Sequence, residues 1–600
     1  MCGIIGYTGN RSATPILING LKNLEYRGYD SAGIALGEKG RISAIKSEGR
    51  LKNLLSEIKE KDNLSHWGIG HTRWATHGKP NETNAHPHLS QDGMFAVVHN
   101  GIIENASVIK TELIKKGYEF KSETDTEVIP QLLSYHYDGN ILEAIRKTFL
   151  SFDGSFACGI ICRNEPETIY ASRRQSPLII GRGNKENMLA SDLSALTSDT
   201  EVFTFLEDGE FAEIKKDSVK VFDSRLNVVN KNFEKFDAEE NEISKENFPH
   251  YMLKEIFEQP EKIKNLLKNS QHKSPQKSEI LYKFSKAKKV FIVGCGSAFH
   301  AALAGKYALE ELCGISAEVE IASEFRYRNI PLDSECVVIV ISQSGETADT
   351  VAALRLAKSK GALVIGIVNV LPSTISIESH YVIPTNAGRE IAVATTKGYT
   401  TQLVSLYSLA LDIAEEKETL LKNELDFLRN ELFSIPQKIS ETLKDIESIE
   451  KISKLYKDEK NIFFIGRNTD YAVSCEGALK LKEISYINCL SLPAGELKHG
   501  TIALIEKGSP VIALCSNKKL FKKTMSNIEE VVSRGAEILL VTNENFSDKN
   551  FRKITIPDCE DIFSPLLEVI PLQLFSYFIA KEKGCNIDMP KNLAKSVTVE

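Results

Sequence analysis

The chain reads CVVIVISQSGET over residues 336–347, an unbroken apolar run that ends in a turn of small and hydroxylated residues. A continuous run of β-branched residues is typical of a strand buried on both faces of a parallel sheet. A helical pattern follows the turn. The stretch therefore predicts the strand–turn–helix unit of a doubly wound α/β domain.

The same unit recurs elsewhere in the second half of the chain. An apolar strand at 290–293 runs into a glycine-rich turn at 294–297, and strands at 462–465 and 511–514 are followed by polar turns. Two strand–turn–helix pairs thus recur about 170 residues apart, which indicates a duplicated domain. We expect the copies to pack as a pseudo-symmetric pair, joined by helices at roughly 395–458.

The turn at 342–347 has the composition of a phosphate-binding turn. Backbone N–H groups at the start of a helix favour an anion, and four side chains here can donate to phosphate oxygens: Ser342, Gln343, Ser344 and Thr347. The Walker pattern is absent, and the turn at 294–297 lacks the third glycine of a dinucleotide fingerprint. An ordinary serine-rich helix cap remains the alternative, but Gly345 and the second turn favour a phosphomonoester.

Length, charge and cysteine content narrow the class of protein. The chain has 600 residues, a net charge of −7 and a pI near 6.1, which give no electrostatic case for nucleic acid or an anionic membrane surface. Its 11 cysteines are scattered, and no signal peptide or membrane-spanning run is evident. We expect a protein of the reducing cytoplasm, with neither nucleic acid nor membrane as a partner.

The first 240 residues have a different texture, in which short alternating strands are interleaved with helices. This pattern predicts stacked antiparallel sheets with helices packed outside them. The predicted strands are 2–8, 33–36, 41–47, 68–74, 94–99, 157–162, 168–172 and 178–181, and the predicted helices lie near 12–24, 50–60, 104–117 and 126–148. The segment from about 205 to 250 is strongly charged and is expected to end this domain and lead into a tether.

Cys2 is a candidate nucleophile because of its position. If Met1 is removed, Cys2 carries a thiol and a free α-amine, whose pKa of about 7.7–8.0 lets it act as a base near neutral pH. A buried cysteine in an N-terminal strand is the alternative.

Three polar clusters supply the other parts of an amide-cleaving site. The Asn100 side chain and the Gly101 N–H can stabilise an oxyanion, and Arg73 can bind a carboxylate through its planar fork. Asp125 offers a counter-charge for an amine, although an acidic residue at a helix start explains it equally well. Carboxylate, amine and amide together describe glutamine.

Several strings resemble the N-terminal-nucleophile amidotransferases, and specifically the glutamine–fructose-6-phosphate aminotransferase family. They are CGIIGY (2–7), LEYRGYDSAG (24–33), HTRWATHG (71–78), HNGIIEN (99–105) and SETDTE (122–127), and the resemblance covers the whole chain. It implies an αββα glutaminase sandwich with Cys2 as the nucleophile and Asn100 and Gly101 as the oxyanion hole. Further implied residues are Arg73 and Asp125 at the two ends of glutamine, Thr76 and His77 in the pocket, Arg27 beside Cys2, and Trp74 as a gate for ammonia.

Five histidines in this half invite a metal hypothesis, namely His71, His77, His86, His88 and His99. No cysteine or carboxylate falls at a spacing that would complete a zinc shell. We therefore expect neither a metal nor any other cofactor.

Glu476, Lys480 and Glu483 share one helix face by their spacing. An exposed ion pair would explain them, but apolar neighbours surround the charges. The resemblance implies that Glu483 moves a proton between carbons 1 and 2 of the sugar, with Lys480 beside it. It further implies that His499 opens the furanose ring, and that Lys595 in the C-terminal tail forms a Schiff base with the ketone after docking near Lys480 or an apolar wall.

The resemblance also implies two sugar isomerase (SIS) domains and a pocket that includes Ser297, Val393 and Thr395. We expect an α/β and α+β multidomain protein: residues 2–240 glutaminase, 241–250 linker, 251–430 and 431–590 the two doubly wound SIS domains, and 591–600 a catalytic tail. The implied reaction uses glutamine and fructose 6-phosphate, passes ammonia internally, and yields glucosamine 6-phosphate. A homodimer is the family expectation.

Two other functions fit the sequence less well. An amidotransferase that feeds phosphoribosyl diphosphate would need an acidic pyrophosphate–Mg²⁺ motif, and the second half shows none. A sugar-phosphate-binding regulator or deglycase with an inactive glutaminase domain would not need the intact catalytic set. Four positions depart from the family pattern near the sugar pocket, namely Ala298, Arg389, Thr395 and Thr501.

Overall fold

The computed structural model describes residues 2–26, 28–38, 40–59, 64–75, 77–196, 200–235, 244–270, 272, 274–544 and 551–598. The chain forms two compact units. Residues 1–244 and 594–600 belong to the first, and residues 245–593 belong to the second.

The first unit contains two antiparallel sheets, ordered β15-β11-β9-β10-β1-β4-β2-β3 and β14-β13-β12-β8-β7-β6-β5. Its strands are β1 (Gly3–Gly9), β2 (Ser31–Glu38), β3 (Arg41–Glu48), β4 (Trp67–Arg73), β5 (His88–Leu89), β6 (Phe95–Ile103), β7 (Gly154–Cys162), β8 (Glu165–Arg174), β9 (Ile179–Gly183), β10 (Glu186–Ala190), β11 (Thr200–Phe205), β12 (Phe211–Lys215), β13 (Ser218–Phe222), β14 (Val228–Val229) and β15 (Glu234–Lys235). Its helices are α1 (Ala13–Leu24), α2 (Leu51–Glu57), α3 (Ala106–Lys115), α4 (Val128–His136) and α5 (Ile141–Leu150).

Strand periodicity builds this unit as four layers. Because successive side chains of a strand point to opposite faces, Ile4 joins the core between the sheets, whereas Ile5 and Tyr7 pack against α1. A third core lies between the second sheet and α3–α5. Helix, sheet, sheet and helix thus follow one another, and the predicted αββα sandwich is confirmed.

One local prediction was wrong. The predicted helix at 126–148 is two helices, because Gly139 adopts a φ of 107° and Asn140 caps α5 by accepting a hydrogen bond from the Glu143 N–H at 3.2 Å. The charged segment after 205 carries β12 to β15 and belongs to the first unit as far as residue 244. Alternating residues such as Ile214 and Val221 are buried and hold β12 and β13 in the sheet.

The second unit is built from parallel sheets. Its strands are β16 (Lys289–Gly294), β17 (Ala317–Ile321), β18 (Cys336–Ser342), β19 (Leu363–Val368), β20 (Tyr381–Pro384), β21 (Asn461–Gly466), β22 (Asn488–Pro493), β23 (Pro510–Leu514), β24 (Glu537–Thr542) and β25 (Arg552–Thr555). Its helices are α6 (Tyr251–Ser270), α7 (Pro275–Ser285), α8 (Ser297–Cys313), α9 (Ala322–Phe325), α10 (Ala348–Ser359), α11 (Thr374–Glu378), α12 (Lys397–Lys417), α13 (Lys422–Lys444), α14 (Ile446–Ser453), α15 (Thr469–Ser485), α16 (Phe521–Val532) and α17 (Pro565–Glu582).

The predicted duplication is visible in the strand order. One sheet runs β17-β16-β18-β19-β20 and the other β22-β21-β23-β24-β25, which is the same order in each copy, with parallel pairing throughout. Helices α12 to α14 connect the copies, as predicted for 395–458. One hydrophobic core extends through both copies, so they form a single compact unit. The finer boundary at residue 430 stays a prediction.

One helical segment, Asp561–Glu582, has the length and a mean hydropathy of 1.6 that a membrane span requires, which the sequence interpretation overlooked. The whole of its apolar window is buried inside the protein. The helix therefore has the character of a core helix in the second unit.

Candidate functional site

Pairing between β1 and β4 brings Cys2 beside Trp74 of the HTRWATHG motif. The Cys2 thiol donates to the Trp74 carbonyl at 3.5 Å, and the Trp74 N–H donates to Cys2 Sγ at 3.4 Å. Burial raises the pKa of the Cys2 thiol, and nearby Arg73 partly offsets this. A thiol with a raised pKa needs a base to become a nucleophile. Met1 lies outside the described residues.

Asn100 and Gly101 are adjacent residues in the second half of β6. The Asn100 side-chain NH₂ donates to the Cys2 carbonyl at 3.2 Å. Gly101 has a φ of 126°, and a Cβ there would lie 2.1 Å from the Ser155 carbonyl oxygen, so only glycine fits. The structure therefore places the Asn100 amide beside Cys2, the predicted nucleophile, with Gly101 next to Asn100 in β6.

Arg73 is buried at the end of β4 and retains hydrogen-bonding capacity. Its Nη2 donates to the backbone carbonyls of His77 and Gly78, whereas its Nη1 has no hydrogen-bond partner among the residues described. Burial lowers the pKa of the guanidinium, and the nearby Cys2 and Asp125 oppose this effect. A buried N–H without a partner is costly, so the arrangement suits an incoming carboxylate.

Asp125 lies half-buried in the loop before α4 and accepts a hydrogen bond from the Ile103 N–H at 2.8 Å. The negative charge of Asp125 contributes to the raised pKa of the Cys2 thiol and opposes the lowering of the Arg73 pKa. Trp74 is half-buried and His77 is exposed. The predicted residues Arg27 and Thr76 lie outside the described residues.

In the second unit, the turn between β18 and α10 is built on Ser342. Its hydroxyl lies 2.9 Å from the Thr347 hydroxyl and accepts a hydrogen bond from the Gly345 N–H at 3.0 Å. Gly345 has a φ of 69°, and a Cβ there would lie 2.0 Å from Ser373 Oγ, so the turn requires glycine. Gln343, Ser344 and Thr347 are partly exposed at this turn.

Glu346 is the one anion in the turn, and its carboxylate is occupied elsewhere. It accepts hydrogen bonds from the Thr374 N–H at 2.7 Å and the Thr374 hydroxyl at 2.8 Å, at the start of α11. An acidic side chain stabilises a helix N-terminus. These hydrogen bonds hold the Glu346 carboxylate at the start of α11, so the turn remains suited to an anion.

A charged cluster joins α8 to α15. Lys480 Nζ lies 2.7 Å from Glu483 and 3.4 Å from Glu476, and it donates to the Ser297 hydroxyl at 3.0 Å. Ser297 in turn donates to Glu476 at 2.8 Å, and His300 Nδ1 lies 2.8 Å from the other Glu476 oxygen. Lys480 and Glu476 are fully buried, so the alternative of an exposed ion pair is wrong.

The charges in this cluster stabilise one another. Burial opposes the charge on Lys480, but Glu476 and Glu483 outweigh it and raise the pKa of the ammonium. Burial likewise opposes ionisation of Glu476, yet Lys480, His300 and Ser297 leave its pKa lowered. Lys480 therefore stays protonated and acts as a fixed cation, not as a nucleophile.

The loop before α12 lies beside the same cluster. Thr395 donates to Glu390 at 3.1 Å, and Glu390 contributes to the raised pKa of Lys480. A Cβ on Gly398 would lie 3.3 Å from the Gln343 side chain, which brings the phosphate-type turn to this loop. The Val393 N–H donates to the Asp588 carbonyl, so its backbone is held as well.

The two remaining predicted catalytic residues are placed differently. His499 is exposed at the end of a 3₁₀ helix, Ala494–His499. Lys595 is half-buried in the segment 594–600, which belongs to the first unit. Its docking beside Lys480 stays a prediction.

Glu476 and His300 were not among the predicted site residues, although both touch the cluster. Glu476 lies one helical turn before Lys480, and His300 lies one turn after Ser297 on α8. This i, i+3 or i, i+4 spacing from a predicted residue was the available signal.

Family models match both units. A glutamine amidotransferase domain model matches residues 71–198, and an SIS domain model matches residues 283–412 and again residues 455–580. The repeated SIS match agrees with the duplicated strand order.

Relatives match along the whole chain. It is 50% identical to the glutamine–fructose-6-phosphate aminotransferase (isomerizing) of Caldanaerobacter subterraneus subsp. tengcongensis and 49% identical to that of Clostridium tetani, with 100% of both chains covered in each case. Among solved structures, the C-terminal domain of glucosamine-fructose-6-phosphate aminotransferase from Francisella tularensis is 38% identical, with a TM-score of 0.56. That match covers 58% of this chain and 100% of the other.

Proposed function

The chain belongs to the glutamine–fructose-6-phosphate aminotransferase (isomerizing) family, and we propose that its first unit hydrolyses glutamine while its second unit aminates and isomerises the sugar. The enzyme converts glutamine and fructose 6-phosphate to glutamate and glucosamine 6-phosphate. The observation that most supports a glutaminase site in the first unit is the Asn100 amide group held beside Cys2.

In the proposed glutaminase step, the Cys2 thiolate attacks the side-chain carbonyl carbon of glutamine. Asn100 and Gly101 stabilise the oxyanion, while Arg73 and Asp125 hold the α-carboxylate and the α-amine. The freed α-amine of Cys2 takes the thiol proton and gives it to the leaving ammonia. Water then hydrolyses the thioester to glutamate, and we expect Arg27, Trp74, Thr76 and His77 to complete the pocket.

In the proposed sugar step, the turn of Ser342, Gln343, Ser344 and Thr347 binds the phosphate. His499 opens the ring, and Lys595 condenses with the ketone at carbon 2 with loss of water. Ammonia displaces the lysine there, and Glu483 moves a proton from carbon 1 to carbon 2 to give the amino aldehyde. Lys480 holds Glu483 as a carboxylate through their 2.7 Å contact, and Ser297, Val393 and Thr395 line the pocket.

The rival functions have less support. The full-length match to aminotransferases does not favour a sugar-phosphate-binding regulator or a phosphoribosyl-diphosphate amidotransferase. The assembled Cys2, Asn100 and Arg73 also argue against an inactive glutaminase unit.

We further propose a homodimer located in the cytoplasm. The exposed position of His499 supports the dimer, because this residue can then serve the sugar site of a second subunit. All 11 cysteines are free thiols, which supports a reducing compartment. Sedimentation over a range of concentrations tests the dimer. A monomer with full activity would contradict it.

The Cys2→Ala variant tests the division of labour. It should lose glutamine-dependent formation of glucosamine 6-phosphate but keep synthesis from free ammonia, because the sugar site is untouched. Cys585→Ala, which removes a partly exposed thiol of the second unit, is the matched control and should keep both activities. Glutamine-dependent activity in Cys2→Ala would overturn the proposal, and mass spectrometry that finds Met1 retained in active enzyme would overturn the role of the α-amine.

A further inference from the structure

Four buried histidines lie around strands β4, β5 and β6 of the first unit, and the reaction above uses none of them. They are His71, His86, His88 and His99. Burial lowers the pKa of all four, that of His71 to about 3. They are therefore neutral rings near pH 7, and each has one N–H donor and one bare nitrogen.

The contacts of His71 determine which of its nitrogens carries the proton. Nε2 lies 3.0 Å from the His99 carbonyl oxygen and 3.1 Å from Asn100 Oδ1. A carbonyl oxygen can only accept a hydrogen bond, so the Nε2 atom must be the donor. Nδ1 has no hydrogen-bond partner among the described residues, which fits a bare ring nitrogen.

This tautomer also determines which way the Asn100 amide faces. The oxygen and nitrogen of an asparagine amide have nearly the same shape, and only their hydrogen-bond partners distinguish the two orientations. An NH₂ group turned toward the Nε2–H of His71 would place donor against donor. Asn100 must therefore turn its oxygen to His71 and its NH₂ group to the Cys2 carbonyl, which it meets at 3.2 Å.

We propose that His71 is a positioning residue of the glutaminase site, whose Nε2–H fixes the Asn100 amide with its NH₂ group toward Cys2 and the developing oxyanion. The inference rests on the oxyanion role proposed above for Asn100. An oxyanion hole works because its donors are oriented before the reaction, and a flipped amide would present oxygen to a negative charge.

The neighbouring rings hold His71 in this orientation. His86 stacks on it with a centroid distance of 4.1 Å, and His86 Nδ1 accepts a hydrogen bond from the His99 N–H at 3.4 Å. His99 Nδ1 lies 2.9 Å from the Thr126 hydroxyl, next to Asp125. A set of neutral, hydrogen-bonded rings thus connects the proposed amine pocket to the proposed oxyanion hole.

The test measures glutamine hydrolysis in the full-length enzyme with His71→Leu, His71→Gln, Asn100→Ala and the double variant His71→Leu/Asn100→Ala. Loss of the Asn100 donor should lower kcat on the order of 10²- to 10³-fold. His71→Leu should lower kcat by at least about tenfold with little change in the KM for glutamine, because Arg73 and Asp125 remain. The double variant should be no slower than Asn100→Ala alone, since His71 acts through Asn100.

Two controls separate positioning from general damage to the fold. His71→Gln keeps an N–H donor and should recover much of the lost kcat. His88→Gln alters a buried ring that bonds Thr124 and does not contact Asn100, so it should keep the wild-type kcat. Synthesis from free ammonia should be unchanged in all variants.

Multiplicative losses in the double variant, or an unchanged kcat in His71→Leu, would overturn the inference. Equal losses in His71→Leu and His71→Gln with a raised KM would also overturn it, because they indicate a structural role. If Asn100→Ala itself hydrolyses glutamine at the wild-type rate, the oxyanion assignment made under the proposed function fails instead.

Discussion

The two copies in the second unit share one strand order, but their central strands end in different turns. After β18, the hydroxyls of Ser342 and Thr347 structure a turn whose one acidic residue is turned away toward α11. After β23, the N–H groups of Ser516 and Asn517 already donate to Asp470 at 3.2 and 3.5 Å. The Ser516 hydroxyl also contacts Asp470 and forms a hydrogen bond to Glu568.

The second turn therefore holds two carboxyl groups of the protein where the first can hold a ligand anion. Asp470, Glu568 and Ser516 are completely buried, and burial raises the pKa of both acids. The second copy instead supplies α15, with Glu476, Lys480 and Glu483. One topology thus carries two different turns, and we expect the first copy to bind the phosphate and the second to carry the reacting charges.

The largest effect on activity should come from a change in the charged cluster of the second copy. Lys480→Met leaves the buried Glu476 and the partly exposed Glu483 without their cation, which costs about 3–5 kcal/mol of folding free energy. The kcat of ammonia-dependent synthesis should fall on the order of a hundredfold or more. Lys482→Met, at an exposed position of the same helix, is the control. A nearly normal kcat in Lys480→Met would contradict the hypothesis that the second copy carries the reacting charges.

An intermediate effect, on the KM for fructose 6-phosphate, should distinguish the turn after β18 from the turn after β23. Ser342→Ala removes a hydroxyl that structures the first turn, and a loss of about 1–1.5 kcal/mol raises the KM for fructose 6-phosphate roughly tenfold. Ser516→Ala changes the filled turn and should leave that KM unchanged. Steady-state kinetics of both variants decide the point, and equal effects on KM would mean that the turns are equivalent.

The smallest effect on activity should come from a change in the buried acid pair, Asp470 and Glu568. A substitution there should alter the pH dependence of stability. Burial raises the pKa of Asp470 to about 6, above the value of about 3.9 expected in the unfolded chain. The contribution of Asp470 to the free energy of unfolding is therefore fully present below about pH 4, where the carboxyl group is protonated in both states. This contribution is lost as the pH rises through about 6, where the folded protein must hold a buried charge.

The Asp470→Asn variant cannot ionise and should lack this dependence. The free energy of unfolding of the wild type, relative to that of Asp470→Asn, should fall by about 2 kcal/mol between pH 4.5 and 7.5 in urea denaturation. Asp458→Asn, at an exposed position of the same unit, should behave like the wild type. A difference that does not vary with pH would show that Asp470 is ionised throughout.

Local patterns predicted much of this fold because they depend on neighbours in the chain. The apolar run that became β18 was located to within one residue, and the strand periodicity of the first half gave the layers. The break between α4 and α5 was missed because a single glycine and its following cap interrupted an otherwise helical pattern. Glu476 was seen on its helix, but its contacts with Ser297 and His300 on α8 could not be.

By itself, the sequence determined the two kinds of domain, the duplication, and the identity of Cys2, Asn100, Arg73 and Lys480 as polar groups worth examining. Only the tertiary structure decided that Lys480 is a buried cation between two carboxylates, that the second turn is filled by Asp470 and Glu568, and that His71 faces Asn100. The physical reason is that periodicity and motifs are set by residues close in the chain. Burial, hydrogen-bond direction and charge compensation depend on groups that only folding brings together.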